Sequence, residues 1–213
     1  QSFITNNCDN TPPVTLASIQ GNWQTQNFPA SFSDTDDVSV NERFYQVLDW
    51  NGTEWRGNGS QGFFNDDFNN TINTEWTNSV GNWALTSSYM HQSDEITSNT
   101  NIYASVNQTS SFKYLYHFQL RMDGTGTNRR SGLHFFSDNS TLPYRGNGYF
   151  VYFRVDNQKV QIYKVVNDAS SLVSDVAYPF VANTFYDFKT VFNPSSGKIS
   201  VFVNDVFNSS WTD

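Results

Sequence analysis

Residues Phe112–Met122 alternate along their whole length between two kinds of side chain. Successive side chains of a β-strand point to opposite sides, so a period of two predicts a long strand with one buried and one solvent-facing side. A second layer has to cover the apolar side, which favours a sandwich of two sheets. The side expected in the core carries Phe112, Tyr114, Tyr116, Phe118, Leu120 and Met122, and the other carries Lys113, Leu115, His117, Gln119 and Arg121.

Further short segments rich in aromatic and β-branched residues are separated by turn signals. Asn51-Gly52 between Trp50 and Trp55 is typical of a hairpin, and Pro194–Gly197 of a turn. No segment predicts a helix longer than one turn, so we expect an all-β protein, a two-sheet antiparallel jelly-roll sandwich. The other predicted strands are Thr15–Ile19, Trp23–Phe28, Arg43–Trp50, Gly62–Phe68, Asn82–Thr86, Ile102–Val106, Ser131–Phe136, Tyr149–Val155, Lys159–Val165, Phe185–Phe192 and Lys198–Val203.

The strand pattern becomes regular only after the first 61 residues. Residues 1–61 are rich in Asn, Thr, Ser and Pro and show no clear period. We expect them to form an irregular, partly stranded N-terminal extension that packs on a core domain of residues 62–213.

Several segments of the core domain, in their order along the chain, resemble concanavalin A-like lectin/glucanase jelly rolls. They are also similar to laminin-G-like modules of secreted bacterial surface proteins of the Bacteroidetes type. The resemblance covers residues 62–213 and implies an extracellular module joined to other domains of the same secreted chain. It also implies a closing strand that pairs near the first one, which we expect residues 62–213 to lack. The segments are Gly62–Phe68, Gly81-Asn82-Trp83, Met90–Ser93, Ser131–Phe136, Arg145–Val151, Gln161–Lys164, Tyr186–Lys189 and Gly197–Asp205.

Charge and hydropathy narrow the range of partners. The formal net charge is −8, which argues against nucleic acid and anionic membrane surfaces, because both favour clustered cations. No apolar run approaches the roughly 20 residues of a membrane-spanning helix, so we expect no transmembrane segment. Abundant Asn, Ser and Thr with few Lys are typical of secreted or cell-surface β modules, and Cys8 has no second cysteine to pair with.

The residues required for known catalytic arrangements are mostly missing. Family-16-like glucanases carry two glutamates on one strand in an E-x-D-x-E pattern, which places both carboxylates on one side. The four glutamates of this chain show no such spacing, and no G-x-S-x-G motif occurs. A Tyr/His pair with Arg and Gln, as in jelly-roll polysaccharide lyases, could come from the predicted polar side, but the sequence motifs of those lyases are absent. We therefore expect a protein that is not an enzyme.

The solvent-facing side of the predicted sheet is the candidate ligand site. Sugars bind where an aromatic platform meets a few amide, arginine or carboxylate groups. An ordinary solvated sheet surface carries the same residue types, so that alternative stays open. Trp83 is expected in the core, and exposure of Trp50, Trp55 or Trp76 would favour binding. The candidate ligand-binding residues are His117, Gln119, Arg121, His134, Tyr144, Arg145, Tyr152, Arg154 and Tyr163.

A structural calcium ion is the predicted cofactor. Asp66 and Asp67 end the first predicted strand of the core domain, and Asp213 or Asp205 is a candidate third ligand. Carboxylates suit Ca²⁺, and jelly rolls that this chain resembles often hold an ion near that strand. A turn cap is the alternative role for Asp66 and Asp67.

These features predict a non-catalytic module that binds carbohydrate or mediates adhesion within a larger secreted or cell-surface protein. The predicted partner is a polysaccharide or glycan. The first alternative is a structural spacer or interaction domain. A polysaccharide lyase or glycoside hydrolase is the second.

Overall fold

The computed structural model describes residues 13–19, 21–22, 26, 28–36, 42–69 and 71–213. The chain divides into two compact units, Gln1–Tyr45 and Gln46–Asp213. The described part contains short and long β-strands and a single three-residue 3₁₀ helix, and none of its helices could cross a membrane. The prediction of an all-β chain is therefore confirmed.

The described residues of the N-terminal unit include an antiparallel strand pair. Strand β1 (Val14–Ser18) pairs with β2 (Ser31–Thr35), so the strand predicted at Thr15–Ile19 is present and β2 was missed. Arg43 forms an ion pair with Asp34 in the same unit. The strand predicted at Trp23–Phe28 lies largely outside the described residues.

The second unit opens with short strand pairs that connect through loops. Of the strand predicted at Arg43–Trp50, only its last two residues are extended and paired. The pairs are β3 (Asp49–Trp50) with β4 (Trp55–Arg56), β5 (Thr77–Val80) with β8 (Asn101–Tyr103), and β6 (Trp83–Thr86) with β7 (Tyr89–Gln92); the 3₁₀ helix is Gly59–Gln61.

Two four-stranded antiparallel sheets form the body of this unit. We call the first the front sheet, with the order β10-β11-β12-β13, and the second the back sheet, with the order β16-β15-β14-β9. The front strands are β10 (Arg130–Phe135), β11 (Gly148–Arg154), β12 (Lys159–Val166) and β13 (Ala169–Ala177). The back strands are β9 (Tyr114–Arg121), β14 (Phe185–Asn193), β15 (Lys198–Val203) and β16 (Val206–Thr212).

The hydrophobic core lies between these two sheets. Phe153 of the front sheet and Phe188 of the back sheet are fully buried, and their ring centroids are 3.6 Å apart. Phe135 and Phe192 make a second contact across the interface, at 5.3 Å. The predicted two-sheet antiparallel sandwich is thereby confirmed, and burial of its aromatic side chains is the main source of stability.

Two tight turns connect the edge strands β13 and β16 to their neighbours in the two sheets. Asn167 and Asp168 connect β12 to β13, and Asn204 and Asp205 connect β15 to β16, all four with φ between 50° and 63°. Positive φ at both central residues is typical of the two-residue turn that matches the twist of a hairpin, and Asn and Asp tolerate it. Both hairpins are therefore specified locally.

The segment Gly62–Phe68 is not a strand, contrary to prediction. No strand among the described residues pairs with it, and side-chain contacts hold its backbone instead. The Asn65 side chain accepts a hydrogen bond from the Gly57 amide at 2.5 Å, and Asn73 Nδ2 donates to the Asn65 carbonyl at 3.1 Å. Such contacts tie residues 46–61 to the segment after residue 61, so the units divide after Tyr45 and not after residue 61.

Candidate ligand-binding surface

The nine predicted ligand-binding residues do not line one groove. His117, Gln119 and Arg121 lie on β9, which pairs with β14 in the back sheet. His134, Tyr152 and Tyr163 lie on the front sheet, on the side away from the core. The core separates these two surfaces, so the prediction that all nine residues share the solvent-facing side of one sheet is wrong. The error arose because β9 and β10 follow each other in sequence but belong to different sheets.

The residues on the back sheet have close polar or aromatic neighbours. His117 Nε2 is 2.7 Å from Asp187 Oδ2. The Arg121 guanidinium lies over the rings of Tyr89 and Phe185, at 5.5 and 5.2 Å from their centroids. Arg121 Nη2 is also 3.3 Å from a carboxylate oxygen of Asp123, so this side chain fastens the β6–β7 hairpin region to the end of the back sheet.

A row of stacked rings crosses the outer side of the front sheet. His134, Phe150 and Tyr163 occupy facing positions on β10, β11 and β12. Their rings stack, with centroid distances of 4.5 Å from His134 to Phe150 and 4.4 Å from Phe150 to Tyr163. Phe150 is 1% exposed although it points away from the main core. Its neighbours therefore build a second, smaller apolar cluster on the outer side.

Tyr152 lies in the next row and borders a gap in the side-chain layer. Its facing residues are Gly132 on the edge strand β10 and Gln161 on β12. Gly132 is exposed and has no side chain, so the layer of outward side chains is interrupted beside Tyr152. A Cβ at Gly132 would collide with the carbonyl oxygen of Val151, which keeps this position a glycine. Arg130 covers part of the ring, with its guanidinium 5.4 Å from the centroid.

The loop between β10 and β11 brings Arg145 to the same place. Arg145 is 7% exposed. Its Nη1 donates to the carbonyl oxygens of Leu142 and Pro143 at 2.7 and 2.6 Å, and its Nη2 donates to the Asn99 carbonyl at 2.9 Å. These bonds fix the loop against the segment that contains Asn99.

The turn between β12 and β13 fixes the other end of this loop. Asp168 Oδ1 accepts hydrogen bonds from the amides of Tyr144 and Gly146, at 2.8 and 3.2 Å. Tyr144 is 37% exposed. It lies close enough to Tyr152 to contribute to the raised pKa of the Tyr152 phenol. The two tyrosines, His134 and Arg145 thus share one neighbourhood.

Burial sets the protonation states in this neighbourhood. Burial, assisted by the charge of Arg145, lowers the pKa of His134 to about 4, so its imidazole is neutral at pH 7. Burial also raises the pKa of the Tyr152 phenol, against the opposing effect of Arg130 and Arg145. His134 Nδ1 has no hydrogen-bond partner among the described residues. The neighbourhood therefore holds neutral aromatic groups beside two cations, and the unpartnered His134 Nδ1 is itself buried.

Arg154 lies at the far end of this surface and is engaged by its neighbours. Its Nε is 3.0 Å from Asp156 Oδ1, and its Nη1 is 3.4 Å from Gln161 Oε1. Gln161 in turn donates to Asp175 at 3.1 Å. Of the nine predicted residues, the structure brings six to the front sheet or its loop: His134, Tyr144, Arg145, Tyr152, Arg154 and Tyr163.

Asp66 has a different role from the predicted calcium ligand. Its Oδ1 accepts from Arg56 Nη1 at 3.0 Å and from the Phe68 amide at 2.9 Å. Its Oδ2 accepts from the Asn73 amide at 2.7 Å and from Trp76 Nε1 at 2.9 Å. Four donors occupy the lone pairs of a side chain that is 1% exposed, so this arrangement does not suit a cation.

Asp67 and Asp213 are likewise held by other contacts. Asp67 accepts from the backbone and side-chain nitrogens of Asn69, each at 3.1 Å, which is the turn-cap arrangement. Asp213 pairs with Lys164 at 2.5 Å and accepts from the Tyr149 hydroxyl at 2.7 Å. No cluster of three acidic, His or Cys side chains that could hold a metal ion occurs within the described ranges. A structural calcium ion stays a prediction.

An exposed pair of tryptophans marks a second aromatic surface. Trp50 and Trp55 face each other across the β3–β4 hairpin, and each is 51% exposed. Their ring centroids are 5.5 Å apart at an interplanar angle of 56°. Trp76 instead packs against Phe64 at 4.7 Å and is half-buried. The tilted pair matches a cross-strand contact that stabilises a hairpin, and it does not form one flat platform.

The same loop that carries Tyr144 also borders a shallow polar depression of about 460 Å³. Its carboxylates are already engaged, since Asp138 accepts from the backbone and side-chain nitrogens of Asn147 at 2.8 and 2.7 Å. Its lining consists of Asp138, Asn139, Leu142, Gly146, Asn147, Asn167 and Asp168.

These features define a two-sheet β-sandwich with an aromatic, arginine-flanked patch on the outer side of one sheet. No family model matches the chain, and no curated protein sequence matches it. Among solved structures, it is similar to the carbohydrate-binding module CBM66 from Bacillus subtilis, with a TM-score of 0.53 and 20% sequence identity. The match covers 66% of this chain and 80% of that module. At this identity the likeness establishes the sandwich fold.

Proposed function

We propose that this chain is a non-catalytic carbohydrate-binding module of a larger secreted or cell-surface protein. The observation that carries the proposal is the half-buried Tyr152 beside the bare backbone of Gly132, on a sandwich that is similar in fold to a known carbohydrate-binding module. We further propose that the sugar binds in this gap.

The chemistry of the gap suits a sugar ring. The apolar C–H side of a pyranose or furanose packs on an aromatic ring, while its hydroxyls need a few fixed donors and acceptors. Tyr152 supplies the ring, and its hydroxyl and the exposed Arg130 guanidinium supply polar contacts. Arg145 and Asp168 hold the loop that borders the gap, so little ordering is needed when a ligand binds.

The glutamates support a role without catalysis. A retaining or inverting glycosidase needs two carboxyl groups that flank one bond. Glu75 instead accepts from the Gly59 amide at 3.1 Å, and Glu95 accepts from the Thr125 amide at 3.2 Å. Glu54 pairs with Arg56 at 2.9 Å. Each holds a loop, which gives these carboxylates a structural purpose.

A glycan array followed by calorimetric titration tests the proposal. The wild-type chain should bind a defined set of glycans, and Tyr152→Ala should weaken that binding by about tenfold or more, equivalent to about 1.4 kcal/mol. Tyr152→Phe keeps the ring and should retain most of the affinity. Phe207→Ala is the matched control, because it truncates a half-exposed aromatic residue on the back sheet and should leave affinity unchanged.

Three results would redirect the assignment. Release of reducing sugar from a bound glycan would show an enzyme. If the folded wild-type chain binds no glycan on the array, carbohydrate binding is overturned and a spacer or interaction domain is favoured. Binding that survives Tyr152→Ala, in a variant with an unchanged circular dichroism spectrum, would place the sugar elsewhere.

A further inference from the structure

The cations around Tyr152 differ from most of those in the rest of the described structure. Elsewhere, most cationic side chains on the two sheets and in the loops pair with carboxylates within 4 Å. Arg130 and Arg145 have no carboxylate within that distance among the residues that the structure describes, and both lie beside Tyr152. The paired cations are Arg43, Arg56, Arg121, Arg154, Lys159, Lys164 and Lys189.

Arg130 is placed to meet a ligand directly. It is exposed, it starts the edge strand β10, and its guanidinium stacks over one part of the Tyr152 ring at 5.4 Å. Stacking of this kind holds the guanidinium plane while leaving its N–H groups free to donate sideways. Gly132 lies two residues along β10 from Arg130, on the same side of the strand, so the guanidinium is next to the gap at Gly132.

Arg145 adds a buried charge close to Tyr152 and His134. Its guanidinium donates to three backbone carbonyls, which satisfy hydrogen bonds but carry no net charge. Burial lowers the pKa of Arg145, and Asp168 opposes this only in part, yet a guanidinium keeps its proton in proteins. A cation that is only 7% exposed and has no carboxylate partner within the described residues favours an anion nearby.

We propose that the ligand of this surface is an anionic glycan, one whose sugars carry a carboxylate or a sulfate ester. This inference rests on the proposed function and specifies it further. Arginine binds both groups through paired N–H donors, and the bond is about twice as strong as a neutral one. The net charge of the whole chain is −8, so the positive charge of this surface is opposite in sign to the charge of the protein as a whole.

The test compares matched pairs of glycans that differ in charge alone. One pair is an oligogalacturonate and its methyl ester, and the other is dextran sulfate and dextran. The wild-type chain should bind the charged member of at least one pair about tenfold or more tightly than the neutral member. That preference should shrink as NaCl rises from about 0.05 M to about 0.5 M, because salt screens exposed charges.

Two variants locate the effect. Arg130→Gln should remove most of the preference for the charged member, and Arg130→Lys should retain part of it through its charge. As a control, Lys198→Gln removes an exposed cation from the back sheet and should change neither affinity nor preference. Melting temperatures of all three proteins should match the wild type, since exposed substitutions shift stability by about 0.5 kcal/mol or less.

The outcomes separate this inference from the proposed function. Equal affinity for both members of each pair, or a preference unchanged in Arg130→Gln, would overturn the anionic ligand while leaving carbohydrate binding in place. A preference for sulfate alone or for carboxylate alone would support the inference and identify the anion. If neither these probes nor any glycan of the array bind the folded chain, both proposals fail.

Discussion

Arg56 and Asp66 form a buried ion pair in which Nη1 lies 3.0 Å from Oδ1 and the two side chains are 7% and 1% exposed. Asp66 also receives the Asn73 amide and the Trp76 indole. This carboxylate therefore joins the β3–β4 hairpin to the segments before and after residue 70. Asp66 and Asp67 are adjacent in sequence, but the first side chain is buried and the second is exposed. The sequence alone does not indicate this difference in burial.

Replacement of Asp66 by Asn should destabilise the protein strongly. The change removes one of the two close carboxylate partners of the buried Arg56 cation, which keeps Glu54, and it replaces one acceptor oxygen by an NH₂ group that faces two donors, so we expect a loss of about 3 kcal/mol. Asp67→Asn is the control, because its side chain is 61% exposed and should change the free energy of unfolding by about 0.5 kcal/mol. Urea denaturation measures both, and equal stabilities for the two variants would contradict the assigned role of Asp66.

The stability of the protein should fall in mildly acidic solution because of His134. Its pKa is lowered from 6.5 to about 4 in the folded state, so the unfolded chain takes up the proton first. The stabilisation is complete above about pH 6.5 and is lost as the pH falls toward 4, by up to about 3 kcal/mol. His134→Phe retains an aromatic ring stacked on Phe150 but cannot take up a proton. This variant should therefore show a weaker dependence of the melting temperature on pH between 6.5 and 4. His91→Gln, at an exposed position, should not; a wild-type slope in His134→Phe would exclude His134 as the cause.

Chelation tests the calcium prediction. An ion bound only to the folded state stabilises by mass action, by about 2.7 kcal/mol at 100 times the dissociation constant, so EDTA would lower the melting temperature. Because donors occupy the Asp66 oxygens, we expect no change in EDTA. A reversible fall of several degrees, restored by added calcium, would show that a structural ion is bound and that the carboxylates rearrange around it.

The alternation of β9 and the short aromatic segments made the sandwich predictable, because a period of two is a local property of the sequence. The edge strands β13 and β16 were missed because they are polar and alternate weakly. Asn167-Asp168 and Asn204-Asp205 were the available signal, since such pairs favour a hairpin turn. These two pairs predict the β12–β13 and β15–β16 hairpins.

The split of the predicted site could not be read from the sequence. Which sheet a strand joins depends on partners far along the chain, and β9 pairs with β14 over the register Phe118 to Phe188. Side-chain alternation shows that His117 and His134 both point away from the core, but it does not show on which surface. The gap at Gly132 also required the structure, because it depends on the facing residue Tyr152.

The Trp50–Trp55 pair is another exposed aromatic surface, and its contribution can be separated from that of Tyr152. Trp50→Ala removes a cross-strand aromatic contact worth about 0.5 to 1.5 kcal/mol, and we expect a small loss of stability with unchanged glycan affinity. Trp50→Tyr keeps a ring opposite Trp55 and should restore most of that loss. Titration of both variants with the glycan that the wild type binds measures the affinity, and thermal denaturation measures the stability. A tenfold weaker affinity in Trp50→Ala, with Tyr152 intact and the fold preserved, would instead assign sugar binding to the hairpin.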